Sequence, residues 1–265
     1  MPFTFAHPAA AVPLRRPLGR YGVLSALAIG SLAPDLAYFL PLSVSRNESH
    51  SLTGLLWFSL PVGLVSYVVF HILLKGPMLG LLPSVVFRRL GGCGLRFRSL
   101  PSVPWAGVIL SLLCGAMTHL LWDAFTHDHA PAVTVLPLLQ AYLFSLGGYP
   151  VHVYKVLQHG STGLGFLVMS WWFWQWLKEA ELWYEPLPVM LSPLQRGLIA
   201  GAIVCFSAVA GLWAGVQTLG PVAGVSALRA FARAAVFSGL MALGLAMVAY
   251  SVAWHAWSLR GHVMA

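Results

Sequence analysis

The chain has 265 residues, of which 58% are aliphatic, aromatic, methionine or cysteine, and its 26 glycines raise the apolar share to about 68%, against the ~45–50% of a soluble globular domain. Charged residues make up 8%, 15 basic and 7 acidic, too few to cover a surface that ordinarily needs roughly 25%. Soluble enzymes, disordered tails, coiled coils and disulfide scaffolds are thereby excluded, and an integral membrane protein remains.

The N-terminal string Met-Pro-Phe-Thr-Phe-Ala-His carries no basic side chain ahead of the first apolar stretch, so no cleavable signal peptide is expected. A short apolar run from Pro8 to Leu14 ends at Arg15-Arg16-Pro17. The next, Tyr21 to Leu40, is interrupted by Pro34-Asp35, because proline disfavours helix for its predecessor and aspartate is costly in lipid. Residues 8–33 are therefore predicted to form a helical hairpin with arginines at its tip. Five segments, 53–73, 104–125, 161–177, 195–219 and 233–257, approach the ~20 apolar residues that cross a ~30 Å hydrocarbon layer. Residues 132–148 are apolar but shorter, and are read as a membrane-surface or re-entrant helix. The fold class is all-α, a polytopic transmembrane helical bundle of about five full spans plus the hairpin. A motif-bearing core covers 1–165, and C-terminal transmembrane helices cover 166–265. Cys93, Cys114 and Cys205 show no C-x-x-C spacing, so neither a disulfide nor a thiolate metal site is indicated.

The net charge of +8 lies on basic residues separated by apolar segments without interleaved aromatics, which makes them membrane anchors and argues against nucleic acid. With the 74–103 loop placed in the cytoplasm, alternation leaves only Arg46, Lys155, Arg229 and Arg233 outside and the other 11 of 15 basic residues inside. The basic group Arg88, Arg89, Arg96 and Arg98 then reads as a topology and anionic-lipid anchor. The run Ser170-Trp-Trp-Phe-Trp-Gln-Trp reads as an interfacial aromatic belt.

An ionisable group within a membrane segment is expensive, so each one is a functional candidate. In Thr118-His-Leu-Leu-Trp-Asp-Ala-Phe-Thr-His127 a spacing of four places His119, Asp123 and His127 on one helical face. Asp35, His50 in Ser49-His-Ser, and His7 before the first apolar run complete a mixed nitrogen and oxygen set that suits zinc, with manganese or iron as alternatives. A hairpin over 8–33 brings His7 and Asp35 to one membrane side, and alternation puts His50, His119 and Asp123 there too. His127, His129, His152 and His159 fall in the following loop on that side, as supporting or proton-transferring groups. Among these His159, which opens the 161–177 span, is the candidate for a catalytic role beside Asp123.

The strings Met-Pro-Phe-Thr-Phe-Ala-His-Pro-Ala-Ala, Gly-Ser-Leu-Ala-Pro-Asp, Ser-His-Ser, Thr-His-Leu-Leu-Trp-Asp-Ala-Phe-Thr-His and Gln158-His-Gly-Ser-Thr together resemble a bacterial membrane family of unknown function. Their order is similar to that in membrane-bound metal-dependent hydrolases, which have a suggested distant relation to zinc-dependent phospholipase C. The resemblance covers about residues 1–165 and implies a metal-dependent hydrolase. This chain departs from the hydrolase pattern in having Pro-Asp-Leu-Ala where relatives often carry a second acidic residue, and in lacking an arginine-glycine before Ser-His-Ser. The expectation is a multi-pass protein of a bacterial inner membrane whose divalent metal is held by His7, Asp35, His50, His119 and Asp123. A metal-activated water there would act on a lipid or lipid-linked substrate. A metal-handling transporter and a non-catalytic membrane scaffold are the competing classes; the transporter should show polar groups continuing to the opposite face, or inverted repeats.

Overall fold

The computed structural model describes residues 4–40, 42–95, 104–182, 191–220 and 224–263. The N-terminal segment folds back on itself. Pro8 opens α1 (Pro8–Ala11), which tightens into a 3-10 turn over Val12–Arg15, and after a second 3-10 turn at Gly19–Tyr21 the chain returns as α2 (Leu24–Leu32). Gly19 takes a positive φ of 53°, which glycine adopts at no steric cost. Gly22 lies so near Arg15 that a Cβ there would stand 2.5 Å from its carbonyl oxygen. The arginines at this tip are exposed, as the predicted hairpin requires. Helix α2 runs into a 3-10 turn, Ala33–Tyr38, that contains Pro34 and Asp35.

A single capped turn, α3 (Arg46–Ser49), leads to α4 (Leu52–Gly54), α5 (Leu60–Val69) and α6 (Lys75–Leu81), which π-turns at Leu55–Ser59 and Phe70–Leu74 join into one helix of 30 residues. After α7 (Ser84–Leu95) comes α8 (Trp105–Thr126), prolonged by the short α9 (Pro131–Val135) and followed by α10 (Pro137–Gln140). The expected surface helix over 132–148 is not formed. Pro137 interrupts it, and the rest is a β-hairpin, β1 (Tyr142–Leu146) paired antiparallel with β2 (Tyr149–His152). The sequence Tyr-Leu-Phe-Ser-Leu carries aromatic residues suited to a strand, and Gly147-Gly148, with φ of 56° and 80°, supplies the tight turn.

The remaining elements are α11 (Val153–Glu179), α12 (Pro193–Val216) and α13 (Val225–Val263). Among the described residues four helices are long and apolar enough to cross a membrane, Leu52–Leu81, Trp105–Val135, Pro193–Val216 and Val225–Leu259. The expected span 161–177 is the middle of α11, a 27-residue helix about 40 Å long at 1.5 Å per residue. Its Lys155, Gln158, Gln175, Lys178 and Glu179 make it less apolar than those four. The protein is thus a polytopic helical membrane protein with one small sheet.

The chain forms two compact units, residues 1–67 with 102–175, and residues 68–101 with 176–265. Where the sequence divides the chain near residue 165, the second unit also takes in the 68–101 segment. In that unit Leu191 and Trp254 are buried against Leu81, Ile199 and Tyr250, and Arg196 donates to the carbonyls of Leu82 and Leu191. Helices α12 and α13 meet backbone to backbone at Gly211, where a Cβ would lie 2.5 Å from the Ala235 carbonyl, the close approach that small residues permit in lipid.

The first unit is built on α2 crossing α8. A Cβ on Gly30 would lie 2.2 Å from the Leu112 carbonyl, and one on Gly115 would lie 2.3 Å from that of Leu27. Ser111 stitches the hairpin to α8, accepting from the Val23 N–H at 2.9 Å and donating to the Tyr21 carbonyl at 3.0 Å. The charge rule gives this unit an expected orientation. In intact cells, cysteine at position 46 should be labelled by an impermeant reagent and cysteine at position 98 should not. Position 98 lies outside the described residues, and Asn47, exposed beside Arg46, offers a second outside probe.

Candidate metal centre

His7, Asp35, His50 and the pair His119 and Asp123 come from four separate segments of the chain and lie close together. His119 and Asp123 lie one turn apart on α8, both buried. The contact of Gly30 and Gly115 brings the end of α2 beside them, and the Ser31 carbonyl stands 2.7 Å from His119 Nδ1. Pro34, three residues after Ser31, has no N–H to offer that carbonyl. His119 therefore donates from Nδ1, and its Nε2 lone pair faces inward.

His50 is oriented in the same way. It ends α3, a turn capped by Ser45, whose hydroxyl and N–H both donate to the Glu48 carboxylate at 2.6 and 2.8 Å. These bonds hold the Glu48 carboxyl below the usual range. His50 Nδ1 lies 3.2 Å from the Arg46 carbonyl and 2.9 Å from Ser49 Oγ. A proton on Nδ1 satisfies that carbonyl and leaves Nε2 free to bind.

Two groups that could hold a metal ion share His119, one made of Asp35, His50 and His119 and the other of His7, His119 and Asp123. His50 Nε2 lies 3.3 Å from His119 Nε2, 3.2 Å from Asp35 Oδ1 and 3.6 Å from Asp123 Oδ2. His119 Nε2 is 3.6 Å from both Asp35 Oδ1 and Asp123 Oδ2. Ligands bound at ~2.0–2.2 Å around a tetrahedral zinc stand roughly 3.3–3.6 Å apart, and these five separations lie close to that range. Two imidazole nitrogens with their lone pairs turned toward each other at 3.3 Å repel unless a cation or proton lies between them.

Other residues complete the surroundings. His7, at the start of α1 and fully buried, stacks on His119 with ring centroids 3.8 Å apart, and its Nε2 is 3.7 Å from Asp123 Oδ1. Neither ring nitrogen of His7 has a hydrogen-bond partner, an unusual state for a buried imidazole and one that a nearby cation or water would relieve. Thr4 donates to Asp35 Oδ2 at 2.6 Å. Arg46 donates to Asp123 Oδ2 at 3.0 Å. His127 Nδ1 approaches Asp123 Oδ1 at 3.3 Å, and its Nε2 lies 3.5 Å from Gln158 Nε2, while Lys155 donates to Gln158 Oε1 at 3.1 Å.

The structure does not bring every candidate to this point. His159 is exposed on α11, where the buried neighbour Gln158 faces the centre in its stead. His129 is exposed beside Asp128, and His152 bonds the Gln140 carbonyl at 2.8 Å. Arg46, Thr4 and Gln158 were not visible as site residues in the sequence. Arg46 counts there only toward topology, although its position one turn before His50 is the signal that could have placed it.

Fold and site together define a helical membrane protein with buried histidine and aspartate groups that could hold a metal ion. The model of the family described as a domain of unknown function, DUF4184, matches residues 1–252. The chain belongs to that family. No curated protein and no solved structure matches it.

Proposed function

We propose that this protein is a metal-dependent hydrolase of a bacterial plasma membrane, with its centre on the outer side. The observation that carries the reading is the set of ligand-like distances among His50 Nε2, His119 Nε2, Asp35 Oδ1 and Asp123 Oδ2, 3.2 to 3.6 Å. These four would hold the cation, zinc before manganese or iron. When bound, such a cation lowers the pKa of a coordinated water and polarises a phosphoryl or carbonyl oxygen.

The chain's own groups supply the rest. The Ser31 and Arg46 carbonyls fix the two imidazole tautomers, as outer partners of metal-binding histidines do. Asp123 Oδ1, which accepts no hydrogen bond and lies near His7 and His127, would take the proton from an attacking water. His7 closes the buried side of the centre, and Trp122 meets its ring edge-on at 5.3 Å.

The test is to assay purified full-length protein on p-nitrophenyl phosphate esters and carboxylic esters, with and without a chelator. Chelation should abolish turnover, and re-addition of zinc should restore it. The Arg46–Asp123 ion pair favours a second reading, in which the cluster only staples α3 to α8. Protein that purifies without metal and is inert on every ester establishes that scaffold reading instead.

A further inference from the structure

The centre opens into a groove of about 610 Å³ between the 46–52 turn and one flank of α8. Its inner end carries Arg46, His50 and Asp123, whereas Leu52, Met117 and Leu121 wall the length that runs along the helix. Asp128 and His129 stand exposed at the rim. From Asp123 to Met117 the groove follows six residues of α8, about 9 Å of helix. Leu52 opens one helix and Met117 and Leu121 lie on another, all three are exposed, and both helices are long and apolar enough to span a membrane, where such a wall would border the acyl chains.

We propose that this groove holds one lipid with an anionic phosphate headgroup, the phosphate at Arg46 and an acyl chain along Leu121 and Met117. Charge decides the headgroup. Asp35 and Asp123 bring two negative charges, a divalent cation cancels them, and Arg46 leaves the inner end with one positive charge; Asp128 at the water-exposed rim is screened. This step rests on the metal reading, because without the cation two carboxylates would repel a phosphate. Arg46 spends one N–H on Asp123 and also bonds the Tyr38 side chain, and of the five N–H groups of a guanidinium others are left for a phosphate. The apolar wall decides the rest. A free phosphate would leave it bare, and a neutral lipid would leave Arg46 without an anion.

The test uses full-length protein in maltoside micelles and a phosphatidic acid carrying a photoactivatable diazirine on its acyl chain. Metal content is measured on the same samples. Crosslinks should map to the α8 peptide bearing Met117 and Leu121, and Arg46→Ala should weaken labelling roughly tenfold or more, the loss of a charge-assisted bidentate contact. Leu121→Trp, a substitution at an exposed position, should fill the groove and cut labelling comparably while leaving the metal in place. The groove reading is overturned alone if metal is present and Leu121→Trp labels like the parent, if diazirine diacylglycerol labels as strongly, or if glycerol phosphate competes as well as the lipid. Protein devoid of metal that takes up no lipid overturns the hydrolase reading as well.

Discussion

Purified wild-type protein should carry about one equivalent of divalent metal, and His119→Ala should carry none. His119 contributes to three of the short donor distances at the centre and stacks on a fifth member, His7. Loss of an outer partner of a metal ligand costs roughly 10–100-fold in affinity, and loss of the ligand itself should exceed that. Elemental analysis of protein purified without added metal reads the outcome. His159→Ala serves as the control and should retain the metal, because His159 is exposed on α11. Substituting Ser31 or Arg46 would not replace this test, since both hold imidazoles through backbone carbonyls that a side-chain change leaves in place. If His119→Ala folds and keeps its metal, the centre is not where the cation binds.

The second large effect is expected far from any ligand atom. Gly30→Val should destabilise the protein and empty the centre at once. A Cβ at Gly30 would lie 2.2 Å from the Leu112 carbonyl oxygen, and neither helix backbone can yield as a flexible side chain would. Forcing extra carbons into a packed interface costs typically 1–3 kcal/mol. Contact with backbone puts this substitution at the upper end or beyond. Separating α2 from α8 also withdraws the Ser31 carbonyl from His119 and Asp35 from His50, so metal should be lost in proportion to the shift. Gly115→Val, which meets the Leu27 carbonyl, should behave alike. Gly160→Val and Gly201→Val, where a Cβ meets nothing within 4 Å, should change the melting temperature in micelles little. Equal effects at all four positions would mean that helix propensity, and not the α2–α8 contact, sets the response.

Composition alone determined that this chain belongs in a membrane, because 8% charged residues cannot clothe a water-facing surface. Local pattern determined the hairpin, since Pro13, Pro17 and three arginines forbid a straight span through 8–33. It also exposed the candidate ligands, because a histidine or aspartate in an apolar segment stands out against its neighbours and helical spacing puts His119 and Asp123 on one face. Local pattern misread 132–148, where apolarity was weighed above Pro137 and the Gly147-Gly148 turn. It overstated 161–177, whose apolar middle belongs to a longer and more polar helix.

What only the tertiary structure decided was the direction of each donor atom. No spacing reveals that His119 gives its Nδ1 to Ser31 and His50 its Nδ1 to the Arg46 carbonyl, because both partners are backbone atoms that every residue possesses. The same holds for Arg46, Thr4 and Gln158. Their roles follow from where the crossing of α2 and α8, and the capped turn at Ser45, set them against Asp35, Asp123 and His127. Sequence patterns report which face of an element a residue occupies, while a coordination shell depends on separations of a few tenths of an ångström between elements. Packing at Gly30 and Gly115 fixes those separations.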